Sequence, residues 1–523
     1  MDSTGQAWAL MASIERAMVP VARPMAIGSF APMTSSRWFS TALVVTLAAD
    51  GAFPTLAAQQ APKADPTAAL LSELIRVNTS NPPGKTQALA DVLTARFKPA
   101  GFSVEIFPTP DSGKVHFIAR LKGDGSKRPL LLAAHADVVG VEREKWSLDP
   151  FAGVIKDGHV YGRGAIDFKG GMAVFAMAAL RLAENKVPLA RDVIFMAEAD
   201  EEGAPMNTMW LARDHWASMD AEFALNEGGW IIKGDDEKVR YVSISTADKS
   251  VTSIVLTARG TSTHSSMPLP DNPIASLGAA LARISAYETP VQLTAESKQF
   301  FLTLGKTSTG ATSRYFQQLV TGTPAQVRAA DRVISKDPLL HAIMRNTIAP
   351  VLISGGFRSN VIPGSAEATL NLRLIPGTDP RDMVKLIEKL VADPRITVKL
   401  AVAPAAPPGA APAVAAAAAT TFGPSSVETE LYKALALESK AQWPTAEVTP
   451  YLFQAGTDAA AWRSRGVPVY GIYPYPITND ELRRMHGNDE RVSVESLRQG
   501  TDMIYRTLVR VAGKTPAKPS DKQ

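Results

Sequence analysis

The 523-residue chain contains no cysteine, which excludes disulfides, thiolate catalysis and cysteine-ligated zinc together. Any metal it holds must sit among histidine and carboxylate side chains. Histidine is scarce as well, with seven in all (His116, His135, His159, His215, His264, His341 and His486), so each can be judged on its surroundings. A formal charge of +4, spread along the chain without runs of Lys or Arg, leaves no electrostatic footprint for nucleic acid. Beyond the N-terminus no apolar run has the length of a membrane span.

What is there begins with "MTSSRWFSTALVVTLAADGAFPTLAAQQAPKADP", laid out like an export signal. Met33 serves as a start, Arg37 as the positive n-region and "WFSTALVVTLAA" as the h-region, with cleavage near Ala57 or Ala58. The apolar part is broken by Asp50 and Gly51 and is short for a membrane anchor. The expectation is an exported protein, periplasmic or secreted, with residues 1–63 as signal peptide and leader.

From Pro66 the hydrophobic pattern switches repeatedly between the helical and the strand period. "TAALLSELIR", "QALADVLTARF" and "GGMAVFAMAALRLAEN" have helical spacing, while "FSVEIF", "VHFIARL", "PLLLAA", "RDVIFMAEA" and "AEFALNE" are strand-like. "PLLLAA" is the unbroken apolar run of a strand covered on both faces. This alternation predicts a three-layer α/β domain with a largely parallel sheet over 64–246 and 425–512. Around Ser243 strands and helices become mixed, which predicts an α+β domain inserted over 247–401. Residues 402–424 are an Ala/Pro-rich flexible loop and 513–523 a polar disordered tail. Within the insertion, 290–350 carries many apolar residues, able either to line a pocket for an acyl chain or to be ordinary core.

Three predicted strands end on groups that bind metals: "LLLAA" at His135 and Asp137, "DVIFMAEA" at Asp200, Glu201 and Glu202, and "AEFALN" at Glu227. In an open parallel sheet the carboxyl ends of the strands line one crevice, so side chains distant in sequence converge there. Asp167, in the glycine-punctuated "YGRGAIDFKGG", and His486, in "MHGNDERV", each precede a helix. Alone, Asp167 reads as a helix-entry carboxylate and the Glu pair as an exposed turn; together they form a constellation. Two histidines and three carboxylates hold two zinc ions when one carboxylate bridges. Zinc lowers the pKa of bound water to about 7, and a carboxylate that is not a ligand takes its proton. In "DEEG", one Glu suits proton transfer and the other metal binding. Asp137, two residues past His135, is placed to accept the ring N–H and orient it.

The ordered series "HADVV", "GRGAIDFKGG", "EADEEG", "NEGG", "GTSTHSSMP", "NVIPG" and "HGNDERV" resembles the M20 family of zinc metallopeptidases and N-acyl amino acid hydrolases over about 66–512. "WSLDPFAG", "DEEGAP" and the long insertion before "NVIP" are most similar to its carboxypeptidase S branch, the Gly-X carboxypeptidases. The resemblance implies a zinc-peptidase catalytic domain with an inserted ferredoxin-like lid and dimerisation domain, and two Zn2+ per subunit, with Co2+ or Mn2+ as substitutes. It makes His135 and Glu227 ligands of one zinc, Glu202 and His486 ligands of the other, and Asp167 the bridge. Glu201 then matches the general base and Asp137 the catalytic aspartate beside it, with a cis Asp167–Phe168 peptide. His264 matches an oxyanion-stabilising histidine, often supplied by a partner subunit. Asn360 and Arg373 match groups that bind the substrate carboxylate, and Thr457 and Asp458 in "GTDA" shape the same pocket. The implied activity is hydrolysis of the amide bond in small peptides or N-acyl amino acids with a free carboxylate, by a homodimer joined through the lid. Its alternatives are an aminoacylase-like acyl hydrolase and a non-catalytic binding relative, the latter disfavoured because Glu201 and all five ligand candidates are present.

Overall fold

The computed structural model describes residues 65–203, 205–401 and 423–514. The export signal, residues 402–422 of the Ala/Pro-rich loop and the tail beyond 514 lie outside the described residues. A ten-stranded mixed sheet organises the molecule. At its centre Val193–Glu198, Leu130–His135, Phe223–Asn226 and Val469–Gly471 lie side by side and parallel. The flanks depart from the parallel expectation. Val115–Leu121 runs antiparallel to its central neighbour Val193–Glu198 and to the edge strand Ser103–Pro108, and Ile231–Lys233 pairs antiparallel with Val239–Asp248. Short connections there permit hairpins, whereas parallel neighbours need a crossover helix.

Strand Leu130–His135 is buried along its whole length, as its unbroken apolar sequence requires. Leu130, Leu132 and Ala134 enter the core built with helices Pro66–Arg76, Lys169–Glu184 and Val494–Ala512. Leu131 and Ala133 enter the core on the opposite face, with Leu211 of helix Thr208–Asp214 and Trp462 of helix Ala460–Arg463. Helix, sheet and helix thus make three layers, and the carboxyl ends of the parallel strands open on one edge.

A second, four-stranded antiparallel sheet has the order Thr347–Gly355, Ser365–Leu374, Ser250–Arg259, Ile396–Leu400. Helices Pro273–Ala286 and Pro380–Val391 cover it and share its separate apolar core. Its chain order, strand-helix-strand-strand-helix-strand, is that of a ferredoxin-like unit.

The stretch between these elements behaves differently from a simple insertion. Helices Ala295–Thr307, Gly310–Thr321, Pro324–Ile334 and Pro338–Ile343 put Phe300, Phe301, Leu304, Phe316, Ile334 and Ile343 into the core of the large sheet. Phe300 packs edge-on against Tyr241 and Tyr451, with ring centroids 5.6 and 4.9 Å away. Of the two uses open to the apolar residues of 290–350, these side chains serve as core. Among the described residues no helix is long and apolar enough to cross a membrane.

Candidate metal centre

The crevice at the carboxyl edge of the large sheet gathers the five expected ligands into two groups that share one residue. His135, Asp167 and Glu227 offer donor atoms within 4.8 Å of one another, and so do Asp167, Glu202 and His486. His135 Nε2 lies 3.1 Å from Asp167 Oδ1 and 3.6 Å from Glu227 Oε2. His486 Nε2 lies 2.9 Å from Asp167 Oδ2 and 3.0 Å from Glu202 Oε1. Asp167 therefore presents one oxygen to each histidine, the arrangement a bridging carboxylate requires. Glu201 stands beside both groups, within the same 4.8 Å of His135 and Glu202.

The chain is built closely around Asp167. The peptide bond to Phe168 is cis, as expected, and the helix starting at Lys169 begins directly after it. A Cβ on Gly170 would stand 2.2 Å from the Ala165 carbonyl oxygen, and one on Gly171 would meet the Phe168 ring at 2.2 Å. Only glycines let this helix seat so close beneath the ligand. The buried Lys169 ammonium donates to the Leu74 and Val77 carbonyls at the end of helix Pro66–Arg76.

Asp137 works differently from the expectation. His135 Nδ1 faces the Asp137 backbone carbonyl at 2.9 Å, while its carboxylate is 3.9 Å away. The carboxylate instead accepts from the backbone N–H groups of Glu201 (3.2 Å) and Glu202 (3.1 Å) and from Asn81 Nδ2 (2.7 Å). One residue thus orients the imidazole with its main chain and holds the two glutamates with its side chain. Asn81 also donates to Asp200, which accepts from Lys114 Nζ and Met206 N. His116 accepts from Ala199 N at 3.1 Å and lies 2.9 Å from the Met206 carbonyl. The loop carrying Glu201 and Glu202 is pinned at both ends.

The electrostatics show what this cluster lacks. Burial pulls the His135 imidazole down, but hydrogen bonds to Asp167 and Glu227 outweigh it and hold the ring well above the usual histidine range. Hydrogen bonds to Asp167 and Glu202 push His486 up to about 10. Burial, and then the Asp167 charge, push Glu227 up to about 7. Glu201 is held well above the carboxylate range by burial first and the Glu227 charge second. Three crowded carboxylates retain protons on the two imidazoles because they need positive charge. A pair of bound divalent cations would supply it in place of those protons, and an all-histidine and carboxylate donor set suits zinc. The residues fit the group.

Residues 131–510 match the description of peptidase family M20/M25/M40. The chain belongs to this family. It is 27% identical over 413 residues to human N-fatty-acyl-amino acid synthase/hydrolase PM20D1, covering 75% of this chain and 76% of that protein. It is 27% identical over 394 residues to a probable carboxypeptidase S-like 2 of Dictyostelium discoideum, covering 74% and 72%. Among solved structures, the M20 family metallo-carboxypeptidase Sso-CP2 from Sulfolobus solfataricus superimposes with a TM-score of 0.62 at 18% identity, over 86% of this chain and 99% of that one.

The remaining residues assigned by the M20 resemblance fall elsewhere. His264 and Asn360 are exposed, on the loops joined by the short strands Thr263–His264 and Val361–Ile362. The His264 ring bonds to Ser266, and the Asn360 carbonyl accepts from Ser265 N. Neither has a hydrogen bond to the five-ligand cluster among the described residues. Both belong to the small-sheet unit. Arg373, on strand Ser365–Leu374, is half-buried and feels the Glu201 charge, although burial lowers its pKa overall. Thr457, expected to bind substrate, has its hydroxyl engaged: it donates to Asp248 at 2.8 Å and accepts from Ala459 N at 3.2 Å.

Two residues at this M20 centre, Tyr473 and Glu198, were not anticipated. Tyr473 donates its hydroxyl toward Asp167 Oδ1 (3.1 Å) and Glu227 Oε2 (2.9 Å), and its ring stacks on Trp230 at 4.3 Å. Deeper in the sheet, Glu198 and Asp458 are buried side chains. Neither oxygen of Glu198 has a hydrogen-bond partner among the described residues. Burial, and then the Asp458 charge, hold Glu198 well above its usual range, and burial pushes Asp458 up to about 7.

Proposed function

We propose that this M20 protein is a zinc-dependent hydrolase of the amide bond in small peptides or N-acyl amino acids that carry a free carboxylate. The observation that carries the reading is the pair of ligand groups sharing Asp167 with an uncommitted acid, Glu201, beside them. When bound, the metal pair supplies Lewis acidity and lowers the pKa of water. Glu201 takes the proton of the attacking water and returns it to the leaving amine, a task suited to a carboxylate whose pKa burial has raised. Asp137 holds that base in line through the backbone N–H of Glu201. Arg373 receives the substrate carboxylate, for which a guanidinium fork is well shaped.

The names of the relatives bear on the substrate. Both an N-fatty-acyl-amino acid hydrolase and a carboxypeptidase S-like protein align over about three quarters of the chain, and both substrate types pair an acyl group with an amino acid amine. The test is release of free amino acid from a panel of dipeptides and N-acyl amino acids. Activity is expected on at least one class, lost after chelation and restored by Zn2+, Co2+ or Mn2+. Full activity in the presence of chelator sinks the reading.

We also propose that the protein is exported, on the strength of the signal-like layout of residues 33–58, and that it is a homodimer. Support for the dimer lies in strand Thr347–Gly355, which is the edge of the small sheet yet exposes Leu352 and Ile353 at 68% each. Phe357, at 77%, extends the patch. An apolar edge strand is a template for pairing with a second copy, and two-fold pairing is the commonest closed arrangement. Replacing Leu352 and Ile353 together by lysine is expected to convert a dimer into monomers in sedimentation and to lower turnover by withdrawing the partner's His264. A wild-type sedimentation profile from that variant rules this interface out.

A further inference from the structure

One buried ion pair, outside the ligand set, joins the two segments that supply Asp167 and His486. Glu490 follows His486 by four residues and is fully buried, as is Arg163, four residues before Asp167. The Glu490 carboxylate accepts from Arg163 Nη1 at 2.5 Å, Gly164 N at 3.1 Å, Ile166 N at 2.7 Å and Asp167 N at 3.0 Å. The other arm of the guanidinium, Nη2, donates to the carbonyls of His486 (3.2 Å) and Gly487 (2.9 Å). Its plane lies over the Trp146 ring, 5.2 Å from the centroid. The pair therefore holds the backbone of one ligand loop from a side chain of the other, and the reverse.

This wiring acts where the backbone has least freedom to settle by itself. His486 has a φ of +59° and Asp489 one of +52°, a left-handed conformation that persists in non-glycine residues only when the surroundings enforce it. The fork of Arg163 grips the main chain at the His486 carbonyl. On the other loop, the Asp167 N–H points into Glu490, which fixes the peptide from which the bridging carboxylate departs. Burying two charges is a poor route to stability, since desolvation offsets their attraction. A pair so fully enclosed, with three backbone donors converging on one carboxylate, is explained by the geometry it imposes.

We infer that Glu490 and Arg163 are positioning residues that set Asp167 and His486 at the spacing two divalent cations require, acting through these ligands without touching metal or substrate. The inference rests on the metal-centre reading, and the experiment separates the two. The full-length protein, stripped of metal, is titrated with Co2+ against a competing chelator while the visible absorption of the bound ion is recorded. Wild type is expected to take two equivalents; if it takes none, the metal-centre reading fails. If wild type binds, Glu490→Gln is expected to bind Co2+ about 10–100-fold more weakly, as loss of an outer hydrogen-bond partner does, and to show a shifted cobalt spectrum. Its metal-free form should still melt cooperatively. Arg163→Lys keeps a charge for Glu490 but loses the fork onto His486 and Gly487. It is expected to shift the spectrum in the same way, and it decides the question if Glu490→Gln does not fold. Cobalt affinity within twofold of wild type together with an unchanged spectrum, in whichever of the two variants folds, overturns the inference.

Discussion

Glu201→Gln is expected to bind both metal equivalents and to lose turnover by on the order of 10³-fold, the range over which a positioned general base contributes. The glutamine keeps the shape and volume of the side chain and the backbone N–H that Asp137 holds. It removes only the ability to accept a proton. Glu201 is absent from both groups that contain Asp167, so metal content, read by elemental analysis, should not change. Comparing kcat with metal stoichiometry in one preparation makes the result decisive. A variant with near-wild-type kcat would show that another group takes the proton, and one that has lost metal would make Glu201 a ligand.

The second large effect concerns the bridge. Asp167→Ala should empty both metal positions and abolish measurable turnover, because each ligand group contains this residue. His135→Ala should remove chiefly the metal held with Glu227, since His486 and Glu202 retain their own contacts to Asp167 Oδ2 and to each other. Both losses should exceed the ~10–100-fold cost of removing an outer hydrogen-bond partner. Calorimetric titration with Zn2+ distinguishes them, with no site expected in the first variant and one in the second. Two intact sites in Asp167→Ala would mean that no shared carboxylate exists.

Much of this centre was legible in the sequence because its ligands sit where strands end, and a strand ending in charge is conspicuous after an apolar run. His135, Glu202 and Glu227 announce themselves that way, and Asp167 stands out by its glycine-punctuated loop before a helix. Tyr473 does not. An aromatic in the middle of "GIYPY" reads as core, and its ring is indeed core, stacked on Trp230. Only the fold shows where its hydroxyl points. Asn81 lies in a "NPPG" turn whose composition explains it without any site. Asp137 was found, but spacing alone cannot say which of its acceptors, carbonyl or carboxylate, meets the imidazole two residues away. The helices between 295 and 343 were hidden for another reason. Apolar content reveals that a segment will be buried, and not against which of two sheets. The antiparallel flanks of the large sheet escaped likewise, since a strand pattern carries no direction.

The acids beneath the centre give metal a second meaning for this protein. Glu198 and Asp458 are confined without a cationic side chain bonded to either among the described residues, close enough to the ligands that His135 lowers the pKa of each. In the apoprotein, burial makes the ionised form of these acids costly, and cations bound overhead would relieve that cost. By mass action, each tenfold rise in free ion above the dissociation constant then adds about 1.4 kcal/mol per site to the native state. Scarcity of the ion would therefore cut abundance along with rate, because the emptied chain opens more often and is exposed to proteolysis each time it does.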